Sequence, residues 1–338
     1  MTLRILIPDA QFPGEPTVER AAAPPGSVVE VYRERDPDRV PDAAWRACDA
    51  MILWHEMPIH AGVAARLSSC RIVVRAGVGY DRIDLAAFAA RGVPVCNCPD
   101  YGTTDVADHA IALFLALARG LAFFQDALRA DPVAGWQWDA APLIGRVRGR
   151  VFGVIGMGRI GTATARRARA LDMDVLFYDP YVPEGQELAL GFARTDRLED
   201  LLMRADVVSL HAPLTDETRH MIDASALARL KDGAILINTA RGRLVDLDAL
   251  AAGLRAGRPA GAGLDVLPDE PPDPAHPLIR AFASREPWQA GRLLITPHAA
   301  FYSAAGMLDL RRKPVETAVA FLRDGRLRNC VNGVAARY

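Results

Sequence analysis

VFGVIGMGRIGTATARRARAL, residues 151–171, decides how the rest of the chain is read. VFGVI is a short apolar run of strand type, and it passes directly into Gly156-Met157-Gly158-Arg159-Ile160-Gly161 and then into a helical pattern. Each glycine has a separate physical task in such a turn. Gly156 permits the tight bend, Gly158 lets the backbone approach a pyrophosphate, and Gly161 lets the helix pack against the strand. The helix N-terminus adds a partial positive charge that favours an anion. The following run, VLFYD, ends in Asp179, at about the 20-residue spacing expected of an acid that binds the hydroxyls of an adenosine ribose. A carboxylate there repels a 2′-phosphate, and the next residues, PYVPE, offer no arginine to receive one, so NAD is expected rather than NADP.

Working outward, the runs VFGVI, VLFY, VVSL, AILIN, AGLDV and LLIT fill residues 151–296, separated by helix-length segments. Five similar runs precede them: LRILIP at 3–8, VVEVY at 28–32, AMILW at 50–54, RIVVRA at 71–76 and VPVCN at 93–97. Near-continuous apolar character, without alternation, is what parallel strands covered by helices on both faces show. The pattern predicts an α/β chain of two doubly wound parallel-sheet domains, a Rossmann NAD-binding domain and a flavodoxin-like substrate domain. The stretch DVADHAIALFLALARGLAFFQDALRA, 105–130, predicts one long helix joining them, with a hinge near 99–105. The expected boundaries are 1–102, 103–303 and a return segment 304–338 that completes the first domain. Within that segment 307–321 reads as a helix, too short to bury a core alone. PDEPPDPAHP at 268–277 reads as a rigid loop.

The length of 338 residues fits two domains at about 150 residues each. Apolar residues at 51% and charged residues at 24% exclude a disordered or collagenous chain. Forty basic residues balance 41 acidic ones, with no long single-sign run, so nucleic acid is not an expected partner. The longest apolar stretch, near 110–118, falls below the roughly 18 residues of a membrane span. MTLRILIPDA enters a strand-like run with no small-residue cleavage pattern behind it, so no signal peptide is read and a cytoplasmic location is expected. Cys48, Cys70, Cys96, Cys98 and Cys330 form no CxxC pair and no zinc spacing, and read as reduced thiols with no metal site.

Along the second half, one strand after another ends in polar residues, at the edge where such sheets bind ligands. Asp179 follows VLFY, His211 follows VVSL, Asn238 to Arg241 follow AILI, Asp265 lies in AGLDV, and His298 follows LLITP. Chemistry beside a dinucleotide needs an acid–base group active near pH 7, a partner to orient it and an anchor for the substrate. His298 can take a hydroxyl proton, Glu270 is the neighbouring carboxylate that can orient its ring, and Arg241 can clamp a carboxylate bidentately.

Taken together, NTARGRLVD, GLDVLPDEPP, LITPHAA, GMGRIG and the strand ending in Asp179 resemble the D-isomer-specific 2-hydroxyacid dehydrogenase family over nearly the whole chain. The resemblance implies that Arg241, Glu270 and His298 form a catalytic triad acting with NAD on a small-molecule 2-hydroxy or 2-keto acid. It implies cofactor contacts at Gly156, Met157, Gly158, Arg159, Ile160, Gly161, Asp179, His211, Ala212, Pro213, Thr218, Thr239, Ala240, Asp265 and Thr104. It also implies that the substrate carboxylate meets backbone amides of RAGVGYDRID, at Gly77, Val78 and Gly79 beside Arg75, with Phe301 against the substrate pocket.

Within the family, IVVRAGVGYDRID, VCNCP, VLFYDPY, PHAAFYS and NCVN are most similar to the C-terminal-binding-protein branch, which has tryptophan where Phe301 stands. The segment between Glu270 and His298 is longer than usual in the family, and RAFASREPWQAG is expected as an added loop. A homodimer joined through the cofactor domain is implied, with Phe123 to Arg148 as an exchange arm and Trp136 and Trp138 in core or interface packing. The function implied is that of an NAD-dependent D-2-hydroxyacid dehydrogenase. The alternative is a dinucleotide-sensing binding protein, since animal members of that branch are corepressors that bind short peptides. Glu270 stands where formate-dehydrogenase relatives carry glutamine, which argues against that activity. Phosphoglycerate dehydrogenases often append a regulatory domain, so of these only a short form is expected here.

Overall fold

Apolar, β-branched runs that are covered on both faces form parallel strands, and here they form two separate sheets. The computed structural model describes residues 2–335. The chain divides into two compact units, Met1–Gly102 with Tyr302–Tyr338, and Thr103–Phe301.

The first unit contains β1 (Arg4–Ile7), β2 (Val28–Val31), β3 (Ala50–Leu53), β4 (Ile72–Arg75) and β5 (Val95–Asn97). Their spatial order is β2-β1-β3-β4-β5, all parallel, which is the flavodoxin-like order. Trp45, Phe88, Met51, Leu53 and Val73 fill one side of this sheet. The return helix, Ala304–Asp324, is capped by the Ser303 side chain and packs on β3, β4 and the helix Thr17–Ala22. Arg311 fixes that packing: both its Nε and Nη2 donate to the buried Glu19 carboxylate at 2.7 Å. Beyond the helix, Cys330 pairs antiparallel with Cys96, and the Asn332 side chain bonds the backbone of Val93 and Val95.

The second unit contains β6 (Val151–Ile155), β7 (Asp174–Tyr178), β8 (Ala193–Arg194), β9 (Val207–Leu210), β10 (Ile235–Asn238), β11 (Gly261–Leu264) and β12 (Leu293–Ile295). Their order, β12-β11-β10-β9-β6-β7-β8, is the Rossmann winding with a seventh strand, and it reverses direction between β6 and β9. β8, two residues long, gives no apolar run and is not foreseen from the sequence.

Two sequence expectations are corrected here. The pattern at 105–130 is not one helix but two, Thr103–Ala118 and Leu121–Ala130, bent by 54°. Gly120 between them adopts φ +64°, a conformation that ends a helix and suits glycine. RAFASREPWQAG is not a loop: it holds the end of the helix Pro277–Ala283 and the 3₁₀ turn Pro287–Gln289. The burial of Leu278, Ile279, Ala281 and Gln289 explains why this segment is ordered as helix. All five cysteines are free thiols, and Cys330 is the least buried. Among the described residues no single helix is long and apolar enough to cross a membrane.

One buried charge ties the first sheet to its loops. The Asp9 carboxylate, just past β1, accepts the backbone N–H groups of Trp54 (2.8 Å), Glu56 (3.2 Å) and Met57 (3.3 Å). Burial raises its pKa from 3.8 to about 6, against the opposing pull of those bonds and of Arg75. A raised folded-state pKa contributes stability that is complete below the unfolded value and is lost as pH climbs through about 6. Relative to Asp9→Asn, the native chain is therefore expected to gain about 2 kcal/mol between pH 7 and pH 4. Urea unfolding of both proteins across that range checks this; parallel pH profiles would refute it.

Candidate active site

The glycine-rich turn is built as its residue types require. Gly156 sits at φ +91°, and a side chain there would run into the His211–Ala212 backbone. At Gly161 a Cβ would occupy the position of the Gly156 carbonyl oxygen, so the first turn of the helix Arg159–Ala170 lies directly on the strand. Gly158 differs from both: it is exposed, with open space where a Cβ would point. It caps the helix without any side-chain bond, leaving the first N–H groups for an anion. Met157 is buried at the turn, Arg159 is exposed on the helix's first turn and Ile160 is half-buried behind it.

Asp179 stands at the end of β7, where its carboxylate accepts from Met157 N (2.8 Å) and Tyr181 N (2.9 Å). This holds the acid beside the glycine-rich turn. At the end of β9, His211 Nε2 meets Ser209 Oγ at 2.9 Å. Desolvation lowers its pKa to about 3, so this imidazole is neutral at physiological pH. Ala212 and Pro213 follow, and Thr218 Oγ1 donates to the Pro213 carbonyl at 2.7 Å, closing the loop after β9. After β10, Ala240 N donates to Asn238 Oδ1 (3.0 Å) and Asn238 Nδ2 donates to the Arg241 carbonyl (2.9 Å). The neighbouring Thr239 hydroxyl is buried and has no hydrogen-bond partner among the described residues. Buried polar groups are ordinarily hydrogen-bonded, whether to protein, to water or to a ligand. An open glycine, a helix N-terminus without a side-chain cap, a carboxylate held beside the turn and a buried hydroxyl along one sheet edge fit a dinucleotide.

Arg241, Glu270 and His298 lie in the segments that follow β10, β11 and β12. Arg241 is half-buried, and Gly242 behind it packs so closely that a side chain would overlap the Leu267–Pro268 peptide. That contact seats the segment carrying Arg241 on the segment leading to Glu270. Glu270 Oε1 accepts from Leu267 N at 3.1 Å, and Oε2 lies 2.7 Å from His298 Nδ1. A carboxylate accepts, so Nδ1 is the donor and Nε2 is the ring atom directed to other chemistry. His298 has φ +51°, a left-handed conformation that costs a non-glycine residue about 1–3 kcal/mol and persists only where its surroundings enforce it. Phe301 packs edge-on to the His298 ring, with centroids 6.1 Å apart.

Asp265, buried just past β11, supplies much of that enforcement. Its carbonyl accepts His298 N (2.8 Å), while Oδ1 accepts Ala299 N (2.9 Å) and Oδ2 accepts Ala300 N (3.0 Å). Thr104 lies on the exposed first turn of the helix Thr103–Ala118. In the first unit, Gly77 follows β4 at φ +141°, where a Cβ would fall on the Arg75 guanidinium. The carbonyls of Gly77 and Val78 are held by Cys98 N (3.0 Å) and Asn97 Nδ2 (2.7 Å), fixing the loop through Gly79. Arg75 is buried there and donates to the Ala76 carbonyl.

Residues 111–300 match the family described as D-isomer specific 2-hydroxyacid dehydrogenase, NAD binding domain. The chain belongs to that family. It is 39% identical over 313 residues to a glyoxylate reductase of Korarchaeum cryptofilum, covering 92% of this chain and 87% of the relative. It is 36% identical to a D-3-phosphoglycerate dehydrogenase of Archaeoglobus fulgidus, over 84% of this chain, and spans about half (51%) of that longer protein. Among solved structures, the D-lactate dehydrogenase of Aquifex aeolicus complexed with NAD and lactic acid superposes at a TM-score of 0.81, with 28% identity over 94% of this chain and 95% of that one. An NADPH-dependent glyoxylate/hydroxypyruvate reductase of Sinorhizobium meliloti superposes at 0.83, with 30% identity over 100% and 99% of the two chains. The second unit is thus an NAD-binding Rossmann domain of an oxidoreductase.

The last two glycines of the turn separate folding from binding. Gly161→Ala forces the turn backbone to move and is expected to cost about 2 kcal/mol, lowering the melting temperature by about 5 °C. Gly158→Ala is expected to melt with the native protein, because its methyl meets no other atom, and to bind NADH at least tenfold more weakly if the cofactor lies on this turn. Thermal melts with NADH fluorescence titration check both; a Gly158→Ala protein that binds normally would remove this turn from the cofactor site.

Proposed function

We propose that His298, Glu270 and Arg241 carry out the NAD-dependent interconversion of a D-2-hydroxy acid and its 2-keto acid. The observation that carries this reading is the 2.7 Å bond between His298 Nδ1 and Glu270 Oε2 at the ligand-binding edge of the NAD-binding domain. The bound nicotinamide supplies or takes up the hydride. In the reducing direction His298 Nε2 gives a proton to the substrate oxygen as that oxygen becomes a hydroxyl; in the oxidising direction it takes the proton back. Glu270 fixes the ring and stabilises the imidazolium that forms. Arg241 anchors the substrate carboxylate by a bidentate pair and stabilises charge that develops on the reacting oxygen.

The unit made of Met1–Gly102 and Tyr302–Tyr338 is assigned to the substrate, with Arg75 and the amides of Gly77, Val78 and Gly79 as carboxylate contacts; Phe301, the last residue of the other unit, is assigned to the substrate as well. The cofactor is assigned to Gly156–Gly161, Asp179, His211–Pro213, Thr218, Thr239, Ala240, Asp265 and Thr104. The motifs around Gly77, Asp179 and Phe301 support placement near the C-terminal-binding-protein branch. A purely dinucleotide-sensing role is not favoured, because the relatives named above are reductases and dehydrogenases. Val133, Trp136 and Trp138, each more than three-quarters exposed, support a homodimer that covers this arm. Five free thiols suit a cytoplasmic location.

His298→Ala is expected to lower kcat for 2-keto acid reduction at least 10³-fold while NADH affinity stays within about twofold, with both proteins sedimenting as dimers. Stopped-flow or steady-state NADH oxidation measures this; an unchanged kcat would remove His298 from the chemistry.

A further inference from the structure

Two polar residues that the triad leaves unused are joined behind the turn that carries His298. His109 lies in the middle of the helix Thr103–Ala118, and Thr296 directly follows β12. His109 Nε2 is 3.0 Å from Thr296 Oγ1, Thr296 Oγ1 is 2.6 Å from Asp265 Oδ1, and His109 Nε2 is 3.5 Å from the same oxygen. A proton inventory fixes the direction of this chain. The Asp265 carboxylate already accepts two backbone N–H groups, from Ala299 and Ala300. The Thr296 hydroxyl has one proton, and the shortest bond in the group commits it to Asp265 Oδ1. Thr296 Oγ1 can then only accept from its other side, so His109 must carry its proton on Nε2.

We propose that His109 and Thr296 are positioning residues for the reaction: they orient the Asp265 carboxylate, and through it hold the 296–300 turn in the left-handed conformation that presents His298 to Glu270. The proposal rests on the reading of His298 as the proton-transfer group. Without the Thr296 hydroxyl the carboxylate loses its one side-chain donor from within this turn, and without His109 the hydroxyl loses the donor that prevents it from rotating away. Asp265 is then free to turn from the Ala299 and Ala300 amides, and His298 can relax toward ordinary backbone angles. The effect expected is on the chemical step, since a misplaced acid–base group slows proton transfer without removing the surfaces that bind substrate.

The test uses the full-length enzyme and four variants. Thr296→Val keeps the shape and removes the hydroxyl; Thr296→Ser restores it. His109→Leu removes the donor; His109→Gln supplies an amide N–H in its place. Thr296→Val and His109→Leu are each expected to lower kcat about tenfold, with the KM of the 2-keto acid and the Kd of NADH within about twofold of native. Thr296→Ser and His109→Gln are expected to recover most of that loss. Native kcat in Thr296→Val and His109→Leu, or serine and glutamine variants no better than valine and leucine, would overturn the proposal. If Thr296→Val does not fold, the His109 pair decides alone. His298→Ala run alongside separates the two levels: if it retains turnover, the site itself is misassigned, and if it is inactive while the other variants are native, only the positioning role fails.

Discussion

A parallel sheet covered by helices on both faces can carry almost no polar side chains along its strands, and the place of the candidate site follows from that constraint. In the unit Thr103–Phe301, β9, β10 and β11 are fully buried, and the residues able to do chemistry are confined to the segments that leave the strand ends. Asp179, His211, Thr239, Arg241, Asp265 and His298 each stand within a few residues past a strand. The winding reverses between β6 and β9, the position at which sheets of this kind bind their ligands. The glycine-rich turn after β6 opens onto that same edge.

Placing a group at the edge is not enough to orient it. Orientation comes from a few close contacts that the chain accepts at some local cost. Gly242 lets the Arg241 segment lie on the Leu267–Pro268 peptide, which a side chain would prevent. Glu270 is tied to the Leu267 amide by one oxygen and to His298 by the other. His298 itself takes a left-handed backbone, stabilised by the Asp265 carbonyl and by the carboxylate beneath the following two amides. The strain and its compensation occur at the same turn, as the persistence of a left-handed non-glycine residue requires.

The sheets were legible in the sequence because double-sided burial writes itself as continuous apolar runs; eleven such runs correspond to strands, while the two-residue β8 carries no pattern to read. The break at Gly120 was hidden because a lone glycine within a helical pattern is a weak signal, and only its φ of +64° shows that the helix ends there. RAFASREPWQAG looked like a loop because prolines and charges surround it, yet Ala281 and Gln289 within it are buried, as are Leu278 and Ile279 just before it. The glycine-rich turn and Asp179 were local signals. The Glu270–His298 pair was not: its members are 28 residues apart, and tertiary packing alone sets their distance. His109 and Thr296 gave no signal beyond a histidine interrupting an apolar helix and a threonine two residues before His298.

The most direct test of the account is NADH oxidation by the purified protein across a panel of 2-keto acids, from glyoxylate and pyruvate to bulky apolar and phosphorylated members, with the configuration of the product determined. Turnover of at least one class, yielding the D-2-hydroxy acid, is the predicted result. Tight NADH binding with no turnover of any 2-keto acid, or formation of the L product, would contradict it.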